Sequence, residues 1–469
     1  MSRRVLLSIL TLLLVACVVV SLISIGGVLT LVQHAQDSVQ LLPTLAPAQG
    51  GLGSGLVSSD PAAAGLDGLD PSTGEQMNLI QARVAEIRGL QPVRSVPRSL
   101  LTRQELEQHV LDDFLSDYTP QEALENAITW NAFGLLPADF DLYNLYQAVL
   151  GEQVAGFYDS RTQQMYVVSD AGFDGLARMT YAHEYTHALQ DQYYHLLDGL
   201  KVDDEHCAQE TEYCAAVQAL IEGDATLTEL FWTYRYSTPQ DQQELLDFYQ
   251  DFESPAFDSA PVAIQSDFLF PYQQGLEFVQ SLFDRGGWAT VNQAFAAPPV
   301  STEQILHPDS YPLDQPVQVE LPDLQPVLGE DWVQLDRSVL GEWYSYLVLS
   351  SGWQPDARLS ESEAKQAAAG WGGDAYQVFW QPHSGEVVLV QRWLWDTTAD
   401  LDEFWQAMTR YGSLRWGPTT ASQEGMLRWE NTPNGQVILL RTGEEALWVQ
   451  APNAAVLSAV LESMQPVAP

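Results

Sequence analysis

The chain opens on an apolar run from Val5 to Val32, 28 residues without a charge, preceded by Arg3 and Arg4. That is longer than the ~20 residues that cross a bilayer as a helix and well beyond a signal-peptide core of about 7–15. With both arginines on the N-terminal flank, the positive-inside bias puts everything past about residue 35 outside the cytoplasm. Leu14-Val15-Ala16-Cys17 resembles a bacterial lipobox, yet Val18-Val19-Val20 stays apolar where a lipoprotein turns polar. The expectation is therefore an uncleaved single-pass anchor over 1–35, with lipidation at Cys17 as the alternative. Residues 36–75 carry Pro, Ala, Gly and Ser without a sustained period and read as a flexible stalk.

Folded periodicity begins near Gln76. Helical spacing covers 76–90, and Thr102-Arg103-Gln104-Glu105 resembles a capping box ahead of Leu106, Val110, Leu111 and Phe114. After further helical pattern to about Leu150 the period drops to two. Val154–Tyr158 and Met165–Val168 flank Asp159-Ser160-Arg161-Thr162, a β-hairpin. Helices are predicted at about 174–194, 214–236, 238–250 and 272–296, followed by a Pro-rich loop over 297–325. Beyond it the pattern changes again. Strands at 375–381 and 386–395 meet at Pro382-His383-Ser384-Gly385, and Asp396 or Thr397 caps a helix through Leu401, Phe404, Trp405 and Met408. A second hairpin turns at Asn434-Gly435, and 446–450 and a terminal helix follow. The chain thus reads as α+β, with a mostly helical domain over 76–325 and a smaller α+β domain over 326–469. Gly372-Gly373 reads as a tight turn.

Composition narrows the function classes. The 62 Asp and Glu against 20 Lys and Arg give a formal charge of −42, and Lys201 and Lys365 are the only lysines. Such a surface repels phosphate backbones, so nucleic acid is excluded as a partner. Outside the anchor the only cysteines are Cys207 and Cys214, spaced to close a small disulfide in an oxidising compartment. The 14 Trp residues include Trp371, Trp393 and Trp395 in the C-terminal domain. Aromatic residues at strand spacing read first as core, with a carbohydrate platform as the rival.

The chemistry concentrates in Ala182-His183-Glu184-Tyr185-Thr186-His187. In a helix, residues four apart share a face, so His183 and His187 can reach one Zn²⁺ while Glu184 addresses water as a general base. With 8 His in 469 residues, roughly 0.008 such motifs are expected by chance. A catalytic zinc takes a third protein ligand and keeps an open position. Candidates are Glu205, His195, His206 and Glu222. Glu222 is favoured, since a carboxylate among Val217, Leu220, Ile221 and Leu227 is costly unless paired or metal-bound. Asp224 can hold a ligand histidine.

With H-E-x-x-H on one helix and a Glu on the next, residues about 85–320 resemble a gluzincin, a zincin-like metallopeptidase. Gly-Phe-Tyr-Asp and Ala-Leu-Gln-Asp-Gln are similar to uncharacterised bacterial membrane-linked members. The resemblance implies one catalytic Zn²⁺ held by His183, His187 and Glu222, with Glu184 polarising water for attack on a peptide or protein substrate. It also implies an upstream edge strand, Gln164–Ser169 or its hairpin partner, that pairs with the substrate. Many gluzincins carry an Asp four residues after the ligand Glu, where this chain has Thr226. Tyr272 and His307 are the oxyanion-donor candidates, with Tyr311 and Arg285 behind them. The expected whole is an enzyme tethered through residues 5–32 with its catalytic domain outside. A non-catalytic surface protein presenting the Trp-rich domain is the alternative.

Overall fold

The structure, a computed structural model, describes residues 70–153, 156–168 and 172–464. The expected anchor, Cys17 and nearly all of the stalk lie outside the described residues. Among those described, no helix is long and apolar enough to cross a membrane.

The architecture is α+β. Its first half is helical around a small sheet. Helix α1 (Pro71–Arg88) starts five residues before the predicted onset, because Asp70 accepts hydrogen bonds from Ser72 N and Thr73 N. Strand β1 (Arg98–Leu101) and helices α2 (Arg103–Asp117), α3 (Pro120–Phe133) and α4 (Leu142–Gln153) follow. The capping box at Thr102 is present: Glu105 N donates to Thr102 Oγ1 and Thr102 N to Glu105 Oε2. The predicted hairpin is β2 (Gly156–Asp159) and β3 (Gln164–Val168), and the strand order is β1-β3-β2.

Strand β3 is therefore central, paired in parallel with β1 and antiparallel with β2. Both its hydrogen-bonding edges are occupied, which removes Gln164–Val168 as a docking strand; Ser169 lies outside the described residues, and among those described no strand pairs with the other edge of β2. Pattern reading passes over β1 because Arg-Ser-Leu-Leu is too short to show a period.

Next come α5 (Gly175–Tyr194), α6 (Thr211–Tyr236), α7 (Pro239–Asp251), α8 (Val262–Gly286), α9 (Trp288–Ala296) and the short α10 (Thr302–Leu306). The single helix expected over 272–296 is two. Helix α8 begins ten residues earlier and runs through Pro271, and the chain breaks at Gly287, where φ is +65°. The proline reads as a start signal, but packing against α6 carries the helix through it. Gly223 of α6 and Gly275 of α8 meet where the two backbones touch: a Cβ on either would fall on the other helix's main chain. Cys207 and Cys214 form a disulfide, Cα–Cα 5.5 Å, that pins the start of α6.

The C-terminal strands form one antiparallel sheet in the order β4-β5-β6-β10-β9-β8-β7. They are β4 (Val333–Ser338), β5 (Trp371–Gln381), β6 (Glu386–Trp395), β7 (Ala421–Gln423), β8 (Met426–Thr432), β9 (Gly435–Thr442) and β10 (Glu445–Ala451). Helices α11 (Gly341–Ser350), α12 (Glu361–Ala368), α13 (Thr398–Trp416) and α14 (Ala454–Ser463) accompany them. Period-two alternation sorts the sheet's side chains. Val378, Leu389, Trp393 and Trp448 join the core shared with the helical half, and Phe379, Val390, Ile438 and Val449 pack with Leu457 and Val460 of α14. Trp371, Trp393, Trp395, Trp429 and Trp448 are fully buried, so these rings are core and offer no carbohydrate platform. Gly372 and Gly373 lie inside β5 at a bulge, where Val317 N donates to Gly372 O at 2.7 Å and the Val317 carbonyl crowds Gly373. Close backbone approach, not a turn, is what these glycines permit.

Candidate metal centre

Helix α5 is buried on almost every side, including Thr180, His183, Glu184, Thr186, His187, Gln190 and Asp191. Polar groups taken from water this completely destabilise a fold unless each finds a partner. Their partners define the site.

His183 Nδ1 lies 2.9 Å from Glu229 Oε2. A carboxylate only accepts, so Nδ1 carries the proton and Nε2 presents a lone pair. The same logic fixes His187. Gln190 Nε2 donates to Ile221 O at 2.9 Å and to Asp224 Oδ2 at 2.8 Å, so its Oε1 is the atom facing His187 Nδ1 at 2.8 Å. Nδ1 is again the donor, and Nε2 again has a free lone pair. Asp224 is held from its other side by Arg88 Nε at 2.6 Å, a pair with no solvent exposure. The Arg88 guanidinium stacks 4.6 Å above Trp288.

Both lone pairs converge on Glu222. Its Oε1 accepts from Gln218 Nε2 at 2.9 Å, and its Oε2 stands 3.2 Å from His183 Nε2 and 3.4 Å from His187 Nε2. With both imidazoles neutral, three acceptor atoms face one another, and among the described residues His187 Nε2 has no hydrogen-bond partner. Such an arrangement calls for a cation or a shared proton. Ligands ~2.0–2.1 Å from a tetrahedral ion lie roughly 3.3 Å apart, which the two observed separations match. Burial opposes charge on His187 and on Glu222, but each favours the other's ion. The result holds His187 above and Glu222 below its ordinary range. The donor set of two imidazoles and one carboxylate suits zinc.

Glu184, one residue beyond His183, is wholly buried, and one of its oxygens accepts from Tyr158 N of β2 at 2.7 Å. Tyr272 of α8 is buried beside His183, with ring centroids 6.4 Å apart. The structure thus brings together His183, Glu184, His187, Glu222, Asp224 and Tyr272. It places His307 elsewhere, against Glu342 at 2.8 Å, while Tyr311 donates to Ala297 O and Arg285 pairs with Asp309. Among the former third-ligand candidates, His195 ends α5 at φ +54° and His206 packs against Tyr213.

Sequence reasoning passed over Glu229, Gln190 and Gln218. Glu229 stands two helical turns after Glu222 on the same buried helix, and that i, i+7 repeat of acids was the available signal. Asp224 acts on His187 through Gln190 rather than directly, which accounts for the Gln in Ala-Leu-Gln-Asp-Gln. The Asp of that motif accepts from Tyr158 Oη at 2.8 Å, and the last Gln accepts from Val93 N and Arg94 N.

A family described as a domain of unknown function, DUF8575, matches residues 330–461, the C-terminal sheet with its helices. No curated protein and no solved structure matches the chain.

Proposed function

We propose that the chain is a zincin-like zinc metallopeptidase of the gluzincin kind, anchored through residues 5–32 with its catalytic half outside the cytoplasm. The observation that carries this reading is the convergence of His183 Nε2, His187 Nε2 and Glu222 Oε2 beside a buried Glu184. His183, His187 and Glu222 would hold one Zn²⁺, which when bound supplies Lewis acidity and lowers the pKa of water. Glu184 takes the proton of the attacking water and returns it to the leaving amine. Glu229 and the Asp224–Gln190 pair keep both imidazoles in the ligating tautomer. Tyr272 is the donor candidate for the tetrahedral oxyanion, since His307 is committed to Glu342. An extended peptide adds to the free edge of β2 and displaces the Tyr158 N–H from Glu184, which frees the base as the substrate arrives. The Cys207–Cys214 disulfide accords with an oxidising, extracytoplasmic setting.

A peptide-library digest by the zinc-loaded full chain, read by mass spectrometry against Glu184→Gln, tests the assignment. Cuts made by the wild type and absent from a variant that still binds zinc are expected. Equal cutting by the variant refutes the base. No cutting by zinc-loaded wild type returns the protein to a binding role.

A further inference from the structure

A second constellation lies where the helical half meets the C-terminal sheet. Glu303 of α10, Asp314 of the Pro-rich loop and Asp396, just after β6, bring one carboxylate oxygen each to within 4.8 Å of one another. The main chain of each is anchored: Glu303 O accepts from His307 N at 2.8 Å, Asp314 O accepts from the Gln304 side chain, and Asp396 N donates to Gly370 O at 3.0 Å. Among the described residues, none of the three carboxylates accepts a hydrogen bond or pairs with Lys or Arg, although Glu303 is only 4% exposed.

Glu342 of α11 supplies an independent sign of a missing partner. It is 3% exposed. One oxygen takes His307, while the other, Oε2, is buried and has no hydrogen-bond partner. Of the surrounding charges, Glu342 acts most strongly on Glu303, ahead of Asp314, Asp396 and Glu212. Burial, then these like charges, push the Glu303 carboxyl up to about 9. With nothing bound, burial and like charge hold a proton on Glu303; a bound cation would displace that proton and pair with the carboxylates that now only repel one another.

We propose that Glu303, Asp314 and Asp396 bind one calcium ion that ties the Pro-rich loop and α10 to the end of β6. The donor set is all oxygen, with neither imidazole nor thiolate, which favours a hard cation over zinc. Oxygens coordinating Ca²⁺ at 2.3–2.6 Å span up to roughly 5 Å across the ion, which accommodates the observed cluster. Asp314 is half-buried and Asp396 exposed, so the ion has an open side for water and for entry. The site is separate from the proposed zinc ligands and stands whether or not the chain is a peptidase.

The test uses zinc-loaded full chain, Ca²⁺ as the probe and Mg²⁺ at equal concentration as the control for screening. Calorimetric titration should give about one Ca²⁺ per chain. Thermal unfolding should shift upward with Ca²⁺, the folded-to-unfolded ratio rising about 100-fold at 100 times Kd. Asp314→Asn with Asp396→Asn should abolish that response while leaving the Ca²⁺-free protein at least as stable as wild type, because repulsion is relieved. Glu303→Gln, nearly isosteric, should abolish it independently. No response in the wild type, an equal response in either variant, or an equal response to Mg²⁺ overturns the proposal.

Discussion

Gly275→Ala tests whether the crossing of α6 and α8 sets the position of Glu222. A Cβ on Gly275 would overlap the Ala219 carbonyl oxygen and stand 2.9 Å from its carbon and 3.1 Å from the Ala219 Cα. All three are backbone atoms, so no side chain can rotate away. Ordinary contact requires the helices to part by roughly 1 Å, an overpacking that costs about 1–3 kcal/mol. Ala219 lies one turn before Glu222, so the displacement reaches the carboxylate. Metal ligands tolerate about 0.2 Å, and a 1 Å misplacement beside a catalytic centre can cost ~100-fold in rate. Zinc affinity by competition with a chromogenic chelator should fall at least tenfold, with a lower unfolding midpoint by circular dichroism. Gly74→Ala in α1, where a Cβ meets nothing within 4 Å, is the control and should leave both unchanged or raise stability. Wild-type zinc affinity in Gly275→Ala would show that the glycine contact does not position the ligand.

Two further expectations concern groups that touch no substrate. Glu229→Gln keeps an acceptor for His183 but removes its charge, so zinc affinity should drop about 10- to 100-fold with the fold intact; an unchanged dissociation constant removes Glu229 from the site. Glu212 is raised from 4.5 to about 8 by burial, with Asp374 and Glu342 adding to the effect and hydrogen bonds from Thr302 opposing it. Its folded form keeps a proton that the unfolded chain releases near 4.5, so stability is fullest below that pH and falls as pH rises towards 8. Glu212→Gln should flatten the decline in unfolding midpoint between pH 5 and 8, and parallel slopes would refute the assignment.

Where local signals such as caps, motif spacing and strand alternation set an element, the sequence was sufficient. The H-E-x-x-H helix ran as predicted because Asp174 caps it, accepting from Ala177 N at 2.9 Å, and its motif sits mid-helix. The turn of the β5–β6 hairpin and the helix capped by Thr397 were legible too, since alternation and cap chemistry are local, although β5 starts at Trp371, four residues before the expected strand. What escaped was decided by distant partners. Strand β1 exists because β3 offers it an edge, and α8 passes Pro271 because α6 packs against it. Glu303 lies on an unremarkable turn until Asp314 and Asp396 come in from separate segments. At the candidate metal centre, the spacing of His183 and His187 is dictated by the helix and could be read. The groups orienting the histidines approach across helices, and only the buried i, i+7 acid hinted at one of them.

The seam between the helical half and the C-terminal sheet bears on how the molecule comes apart. The last carbonyls of α3 are not left to solvent: Arg415 donates to Phe133 O at 3.0 Å and Ala132 O at 3.2 Å, and Gln450 Nε2 donates to Ala132 O at 2.7 Å. Phe133 itself packs edge-on against Tyr376 and Trp448. A helix in one half thus has its C-terminus closed by a helix and a strand from the other, over a core cluster to which both halves contribute. Cutting the chain near residue 325 would bare aromatic surface and leave those carbonyls unsatisfied, so neither piece is a free-standing module. The two halves should melt in one calorimetric transition, and two separated transitions would show that this seam does not couple them.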